Sequence, residues 1–205
     1  MLTVWGRVNS VNVKKVLWAL EELGLPYERI DAGMQFGVNR TPEYLAMNPT
    51  GLIPTMRDGS FILWESHSIV RYLCARHAMG TLCPSDPAAR ADAERWMDWA
   101  FTFQRAIGPV FWNLIRTAPE KRDAKAVEEG RGKSAELLGI LDRILSGRTF
   151  LGGERLTMGD IPLGCEVQRW MRLPMERPAF PAVEAWFERL CGRAPFRKAV
   201  DLPLT

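Results

Sequence analysis

The spacing of the apolar residues changes once along the chain, and that change sets the architecture. Over the first 78 residues, strand-like and helix-like stretches alternate. Leu2 to Trp5 reads as a short strand, and Val13, Val16, Leu17 and Leu20 then recur on one helix face. Gly24 ends that helix and Pro26 keeps it from resuming. Tyr27 to Ile30 reads as a second strand. Gly33 and Gly37 punctuate a loop, and Thr41-Pro42-Glu43 opens a short helix with threonine as cap and proline in the first turn. Thr55 to Arg57 and Phe61 to Trp64 are two strands joined through Asp58-Gly59, a dipeptide that tolerates the positive φ of a tight hairpin. A helix then starts near Ser66 and carries Ile69, Val70 and Leu73. The order is β-α-β-α-β-β-α. The helix between the first two strands makes them parallel, and the hairpin adds antiparallel strands to the same sheet.

Beyond residue 78 the strand signal all but disappears. Residues 79–86 carry Gly80 and Pro84 and read as a linker. From 87 to 205 the apolar stripes are helical: Ala93, Trp96, Met97, Ala100 and Phe101; then Leu137, Leu138, Leu141, Ile144 and Leu145; then Val183, Trp186, Phe187 and Leu190. Thr157-Met158-Gly159-Asp160 has the spacing of a capping box. Thr157 is expected to accept an amide N–H near Asp160, and Asp160 to reach back to the Thr157 amide, with Leu156 and Ile161 as a hydrophobic staple. No repeat of 20 to 50 residues is present, which argues against a solenoid. The fold class expected is an α/β domain over 1–78 followed by an all-helical bundle over 87–205.

Charge and cysteine usage narrow the function. The 27 basic and 24 acidic residues leave a net +3, with no block of like charge, so neither nucleic acid nor an acidic membrane surface is an expected partner. No run of 18 uncharged apolar residues occurs, and the first residues lack the basic-then-apolar order of a signal peptide. Cys74, Cys83, Cys165 and Cys191 are scattered without metal spacing, which fits a metal-free protein in a reducing, cytoplasmic compartment.

Three segments can carry chemistry. In Gly51-Leu52-Ile53-Pro54-Thr55 a proline stands just before a strand, where it donates no ladder hydrogen bond. Either Pro54 is a trans proline at a strand start, or a cis Ile53-Pro54 bond exposes the Ile53 N–H and C=O to an extended peptide. In Trp64-Glu65-Ser66 a strand passes into a helix. The helix N-terminus at Ser66 suits a carboxylate and Glu65 suits an ammonium group, together a site for an α-amino acid head. The bland alternative is a serine cap beside a solvated charge. In Arg7 to Val13, Ser10 and Asn12 place hydroxyl and amide groups at the first helix's N-terminus, where a thiolate would gain hydrogen bonds and a lowered pKa. Plain capping is the alternative there. No cysteine falls in that loop, so the chain supplies no thiol of its own at this position.

The order of these segments resembles the glutathione transferases, over nearly the whole chain. The resemblance rests on Leu-Glu-Glu-Leu-Gly-Leu-Pro-Tyr-Glu at 20–28, Asn-Pro-Thr-Gly-Leu-Ile-Pro at 48–54, Glu-Ser-His-Ser-Ile-Val-Arg-Tyr-Leu at 65–73 and Leu-Thr-Met-Gly-Asp-Ile-Pro-Leu at 156–163. It implies a thioredoxin-like N-terminal domain that binds glutathione as co-substrate and a helical domain that shapes the pocket for an electrophilic small molecule. By the same resemblance Ile53, before a cis Pro54, pairs with the cysteinyl backbone, and Glu65 and Ser66 hold the γ-glutamyl head. Ser10 falls where serine-type, theta-like bacterial members place the hydroxyl that bonds the thiolate. Asn12 falls where Nu-like members use an amide. Leu52 stands where many relatives carry lysine, with Arg40 and Gln35 as candidate replacements. His67 is read as a surface or capping residue, His77 as a linker-edge residue and Trp96 as core. Trp112 and Arg116, four residues apart, are candidates for the electrophile pocket, the arginine suiting anionic glutathione or an acidic substrate. The family usually forms homodimers. Transfer to an electrophile is the leading reaction; reduction of a disulfide or peroxide on the same site, and a non-catalytic binding domain on the same scaffold, are the alternatives.

Overall fold

The computed structural model describes residues 1–205. Four strands, β1 (Leu2–Trp5), β2 (Tyr27–Ile30), β3 (Thr55–Asp58) and β4 (Phe61–Trp64), form one sheet in the order β2-β1-β3-β4. β1 and β2 are parallel, with Val4 opposite Arg29; β1 and β3 are antiparallel, with Val4 opposite Met56. The β3–β4 hairpin pairs Asp58 with Phe61, and Gly59 supplies the positive φ of its turn. Helices α1 (Val11–Glu22), α2 (Pro42–Met47) and α3 (Ser66–His77) complete this half. Thr41 caps α2 by accepting the Tyr44 amide, with Pro42 in the first turn. The other half is α4 (Pro87–Phe111), α5 (Ala124–Leu145), α6 (Asp160–Arg172), α7 (Pro181–Cys191) and α8 (Ala194–Ala199). It is a thioredoxin-like domain followed by a helical one, as the alternating and then purely helical patterns predict. No helix is long and apolar enough to cross a membrane.

The segment between α3 and α4 is packed, because Leu82 and Cys83 are buried and the Leu82 carbonyl accepts the Met158 amide at 2.8 Å. Asp86 then starts α4 by accepting the Ala89 amide, with Pro87 at the first helical position.

One hydrophobic core runs through both halves. Val13, Leu17 and Met56 from the first belong to the same cluster as Met97, Leu141, Ile161 and Trp186 from the second. The junction is α1, which packs on α3 and also on α6 and α8. Its Trp18 meets Phe196 of α8 edge to face at 4.8 Å. Gly164 of α6 lets the two halves approach, since a Cβ there would lie 2.8 Å from the Trp18 ring.

The turn into α6 differs in part from the expected capping box. Asp160 does reach back to the Thr157 amide, at 2.9 Å. The Thr157 hydroxyl donates to the same carboxylate at 3.3 Å instead of accepting an amide. The other Asp160 oxygen accepts the Leu151 amide at 2.9 Å and the Trp186 indole at 3.0 Å. Burial pushes this carboxyl up to about 6, against the pull of those donors. A carboxylate that ties together three segments is a structural anchor, and a local motif shows only one of its bonds.

Candidate active site

The loop after β1, the loop leading into β3 and the turn after β4 converge near the N-termini of α1 and α3. Gly6 ends β1, and Ser10 takes the N-cap position of α1 in extended backbone without forming a side-chain cap bond. Its hydroxyl is therefore not consumed by capping. At α3 the N-cap position falls on Glu65, and Ser66 is the first helical residue, which corrects the reading of Ser66 as the cap. Glu65 holds φ at 70°, a left-handed conformation that costs free energy in a residue with a Cβ and that gathers at functional sites.

The Ile53-Pro54 bond is cis. The loop around it is fixed from behind by a relay of donors. Asn48 Nδ2 donates to Thr55 Oγ1 at 3.0 Å, Thr55 Oγ1 to Tyr44 Oη at 2.7 Å, and Tyr44 Oη to the Leu52 carbonyl at 2.6 Å. Asn48 also donates to that carbonyl at 3.0 Å. The Ile53 N–H and C=O take no part in these bonds and find no other partner in the chain.

Two adjoining cavities share Asn12, Leu52 and Ile53. The smaller, about 40 Å³, continues along Asn48, Thr50, Pro54, Glu65 and Ser66. The larger, about 420 Å³, is bounded by Ser10, Phe111, Trp112 and the guanidinium groups of Arg7, Arg116 and Arg169. All eight residues singled out for the site thus line one or both: Ser10, Asn12, Ile53, Pro54, Glu65, Ser66, Trp112 and Arg116. Trp112 begins a wide π turn that prolongs α4, and it is 53% exposed at the rim. Arg40 and Gln35 line neither cavity, and Leu52 is 61% exposed. Arg40 lies against Gly51, where a Cβ would meet its guanidinium at 2.6 Å.

Behind Asn12 lies a buried polar cluster. Lys15 Nζ donates to Asn12 Oδ1 at 3.0 Å, and Gln104 Nε2 from α4 approaches the same oxygen at 3.3 Å. An ammonium has no lone pair to offer, so the Asn12 atom facing it is the oxygen. That leaves Nδ2, which bonds nothing else in the chain, as the group Asn12 offers the cavity. Lys15 also forms a 3.1 Å ion pair with Glu166 of α6, both side chains fully buried, and Glu166 pairs on its other side with Arg169 at 3.3 Å.

His67 corrects another expectation. It is buried rather than on the surface: its ring stacks on Phe101 of α4 at 4.0 Å, and Nε2 lies 3.3 Å from Lys15 Nζ. Burial, aided by Lys15 and Arg71, lowers its pKa to about 2, so the ring is neutral and Nε2 accepts from the ammonium. His77 is exposed in the last turn of α3, and Trp96 is in the core. Lys15, Glu166, Arg169, Arg7, Asn48 and Gln104 were not singled out from sequence. The one available signal was a lysine and a glutamate each set inside an apolar helix stripe, Val-Lys-Lys-Val-Leu and Gly-Cys-Glu-Val.

None of the four cysteines lines either cavity, and no three His, Cys, Asp or Glu side chains gather where they could hold a metal ion. The architecture is thus a thioredoxin-like domain without a thiol of its own at the site, walled by a helical domain. Residues 9–76 match the glutathione S-transferase N-terminal domain and 99–194 the C-terminal domain. The chain belongs to the glutathione S-transferase family. It is 41% identical to glutathione S-transferase GstB of Escherichia coli K12 over the full length of both, and 32% identical to glutathione S-transferase 3 of Zea mays, covering 97% of this chain and 93% of that one. Among solved structures, the theta class glutathione S-transferase of Xanthomonas axonopodis pv. citri with glutathione bound superposes with a TM-score of 0.96 at 44% identity, covering 100% of this chain and 99% of that one.

Proposed function

We propose that this glutathione S-transferase lays the tripeptide along the two joined cavities, with the thiolate at the N-terminus of α1. The observation that carries the reading is a pair of unspent donors there: the Ser10 hydroxyl, free of capping, and the Asn12 Nδ2, turned outward by Lys15. A thiolate between them gains two charge-assisted hydrogen bonds, each worth about 1.5–3 kcal/mol, and the field of a 12-residue helix. Both favour the ionised form, so the thiol loses its proton near neutral pH and becomes a nucleophile. The Ile53 N–H and C=O pair with the cysteinyl backbone as a neighbouring strand would. The γ-glutamyl carboxylate sits at the α3 N-terminus with Ser66, and Glu65 faces its ammonium. Ser10 is the leading thiolate partner and Asn12 the second. The sulfur attacks an electrophilic carbon in the larger cavity, against Trp112 and Arg116, and the leaving group departs with the bonding electron pair.

The same reading includes a homodimer in a reducing, cytoplasmic setting. The free cysteines support the setting, and the exposed Phe61 and Ile62 on edge strand β4 support a partner surface. Light scattering of the purified protein tests the dimer.

Calorimetric titration of glutathione tests the site. Ser66→Ala is expected to weaken binding about tenfold, the loss of one hydrogen bond to a charged group. Absence of heat at millimolar glutathione would refute it. Turnover of a glutathione-linked disulfide in preference to an aryl halide would move the assignment to the reductase reading.

A further inference from the structure

We propose that the electrophile taken by this enzyme carries a carboxylate, seated between Arg7 and Arg116 in the larger cavity. The inference rests on the glutathione site described above and adds the substrate class.

The larger cavity contains three arginines and no acidic residue. Arg169 is answered by Glu166, whose carboxylate is already shared with Lys15. Arg7 and Arg116 have no such answer. The Nε atoms of both are buried without a hydrogen-bond partner, and the one close polar contact of the Arg116 guanidinium is the Met34 thioether at 3.1 Å. The guanidinium of Arg7 donates to no group in the chain. Burial and mutual repulsion among the three arginines lower the pKa of both, with no carboxylate opposing the trend. Arg7 has given up part of its hydration for no side-chain acceptor in the chain, and Arg116 for a thioether and the faces of Phe111 and Trp112, so an anion arriving from outside supplies the acceptor both lack. Planar guanidinium groups match the two oxygens of a carboxylate.

The remaining walls give the rest of the molecule its character. Val11, Phe111 and Trp112 are apolar, so the body beyond the carboxylate is apolar or aromatic. The reacting carbon lies toward Ser10 and Asn12, which share the cavity with both arginines. Glutathione's own glycyl carboxylate is the competing occupant, and the test separates the two.

The probes are 4-chloro-3-nitrobenzoate and its neutral analogue 4-chloro-3-nitrobenzamide. In each, the glutathione thiolate forms a carbon–sulfur bond at the chlorine-bearing carbon, the nitro group holds the added charge, and chloride leaves with the bonding pair. With rates divided by the uncatalysed ones at saturating glutathione, the wild type is expected to favour the acid about tenfold or more in kcat/KM. Arg7→Gln and Arg116→Gln should each lower the acid-to-amide ratio about tenfold, the size expected for one lost hydrogen bond to a charged group. Equal enhancement of acid and amide, or an unchanged ratio in both variants, would overturn the proposal. So would an arginine effect confined to the KM of glutathione, which would assign the pair to the glycyl end.

Unreactive 3-nitrobenzoate, titrated by calorimetry, keeps this test apart from the glutathione site. If it binds in an arginine-dependent way while glutathione does not bind, the carboxylate seat stands and the glutathione site fails. If glutathione binds and 3-nitrobenzoate does not, the seat fails alone.

Discussion

Lys15 Nζ lies 3.0 Å from Asn12 Oδ1, and by that contact a fully buried lysine sets which end of the Asn12 amide faces the larger cavity. Without the ammonium, only the longer Gln104 contact, at 3.3 Å, holds the amide oxygen away from the cavity, and an oxygen turned that way would repel a thiolate.

Lys15→Met should therefore act twice. It removes one of the two cations on the buried Glu166 carboxylate and leaves Arg169 as its remaining partner, which is expected to cost about 1–3 kcal/mol by chemical denaturation. Adding Glu166→Gln should recover part of that stability, because the buried carboxylate is gone while an amide oxygen remains to accept from Arg169. The double variant should still bind glutathione with a raised thiol pKa, read from the pH dependence of ultraviolet thiolate absorbance. A bound thiol pKa unchanged from that of the wild type would show that Asn12 is not oriented by Lys15.

Ser10 and Asn12 can be ranked by the same absorbance. Loss of one charge-assisted hydrogen bond should raise the bound thiol pKa by about 1–2 units. Ser10→Ala is expected to produce the larger rise and Asn12→Ala the smaller. The reverse order would make the amide the principal donor.

His67 gives a pH signature. Its folded pKa, about 2, lies below the unfolded value, so the unfolded chain binds the extra proton first. The contribution of the neutral ring to stability is whole above about pH 6.5 and is lost as pH falls below it, at up to about 1.4 kcal/mol per pH unit. The stability difference between wild type and His67→Phe should be flat from pH 7 to 8 and move against the wild type below pH 6. A histidine resonance titrating near pH 6.5 and assigned to this ring would contradict its buried, neutral state.

Asp160→Ala removes the shared acceptor of the Leu151 and Thr157 amides and the Trp186 indole. Leaving several buried donors unpaired should cost at least about 3 kcal/mol. Thermal melts should show that loss while glutathione affinity, measured well below the lowered melting temperature, stays within about twofold of wild type.

The parts legible in the sequence are those written in local order. The Asp58-Gly59 turn, the helical spacing of Val13, Val16, Leu17 and Leu20, and the Glu65-Ser66 junction each depend on neighbours within a few residues. The residues left unread depend on distance along the chain. Lys15 looks like a solvated lysine until Glu166 is brought to it from 151 positions away, and His67 looks exposed until Phe101 covers it. Arg7 opens a loop noted for its serine and asparagine, and only the arrival of Arg116 and Arg169 gives its charge a context. Local motifs report backbone geometry well, whereas buried charge is a property of pairs.

The way α1 is shared has a consequence for how the molecule comes apart. Trp18 is covered by α8 and by the bare backbone of Gly164, and Lys15 is neutralised by α6, so neither half can leave without uncovering an indole and an unbalanced ammonium. The two domains are therefore expected to melt in a single transition despite their different architectures. Under the proposed function, substitutions along α1 that alter the thiolate site are expected to alter the lifetime of the folded chain as well.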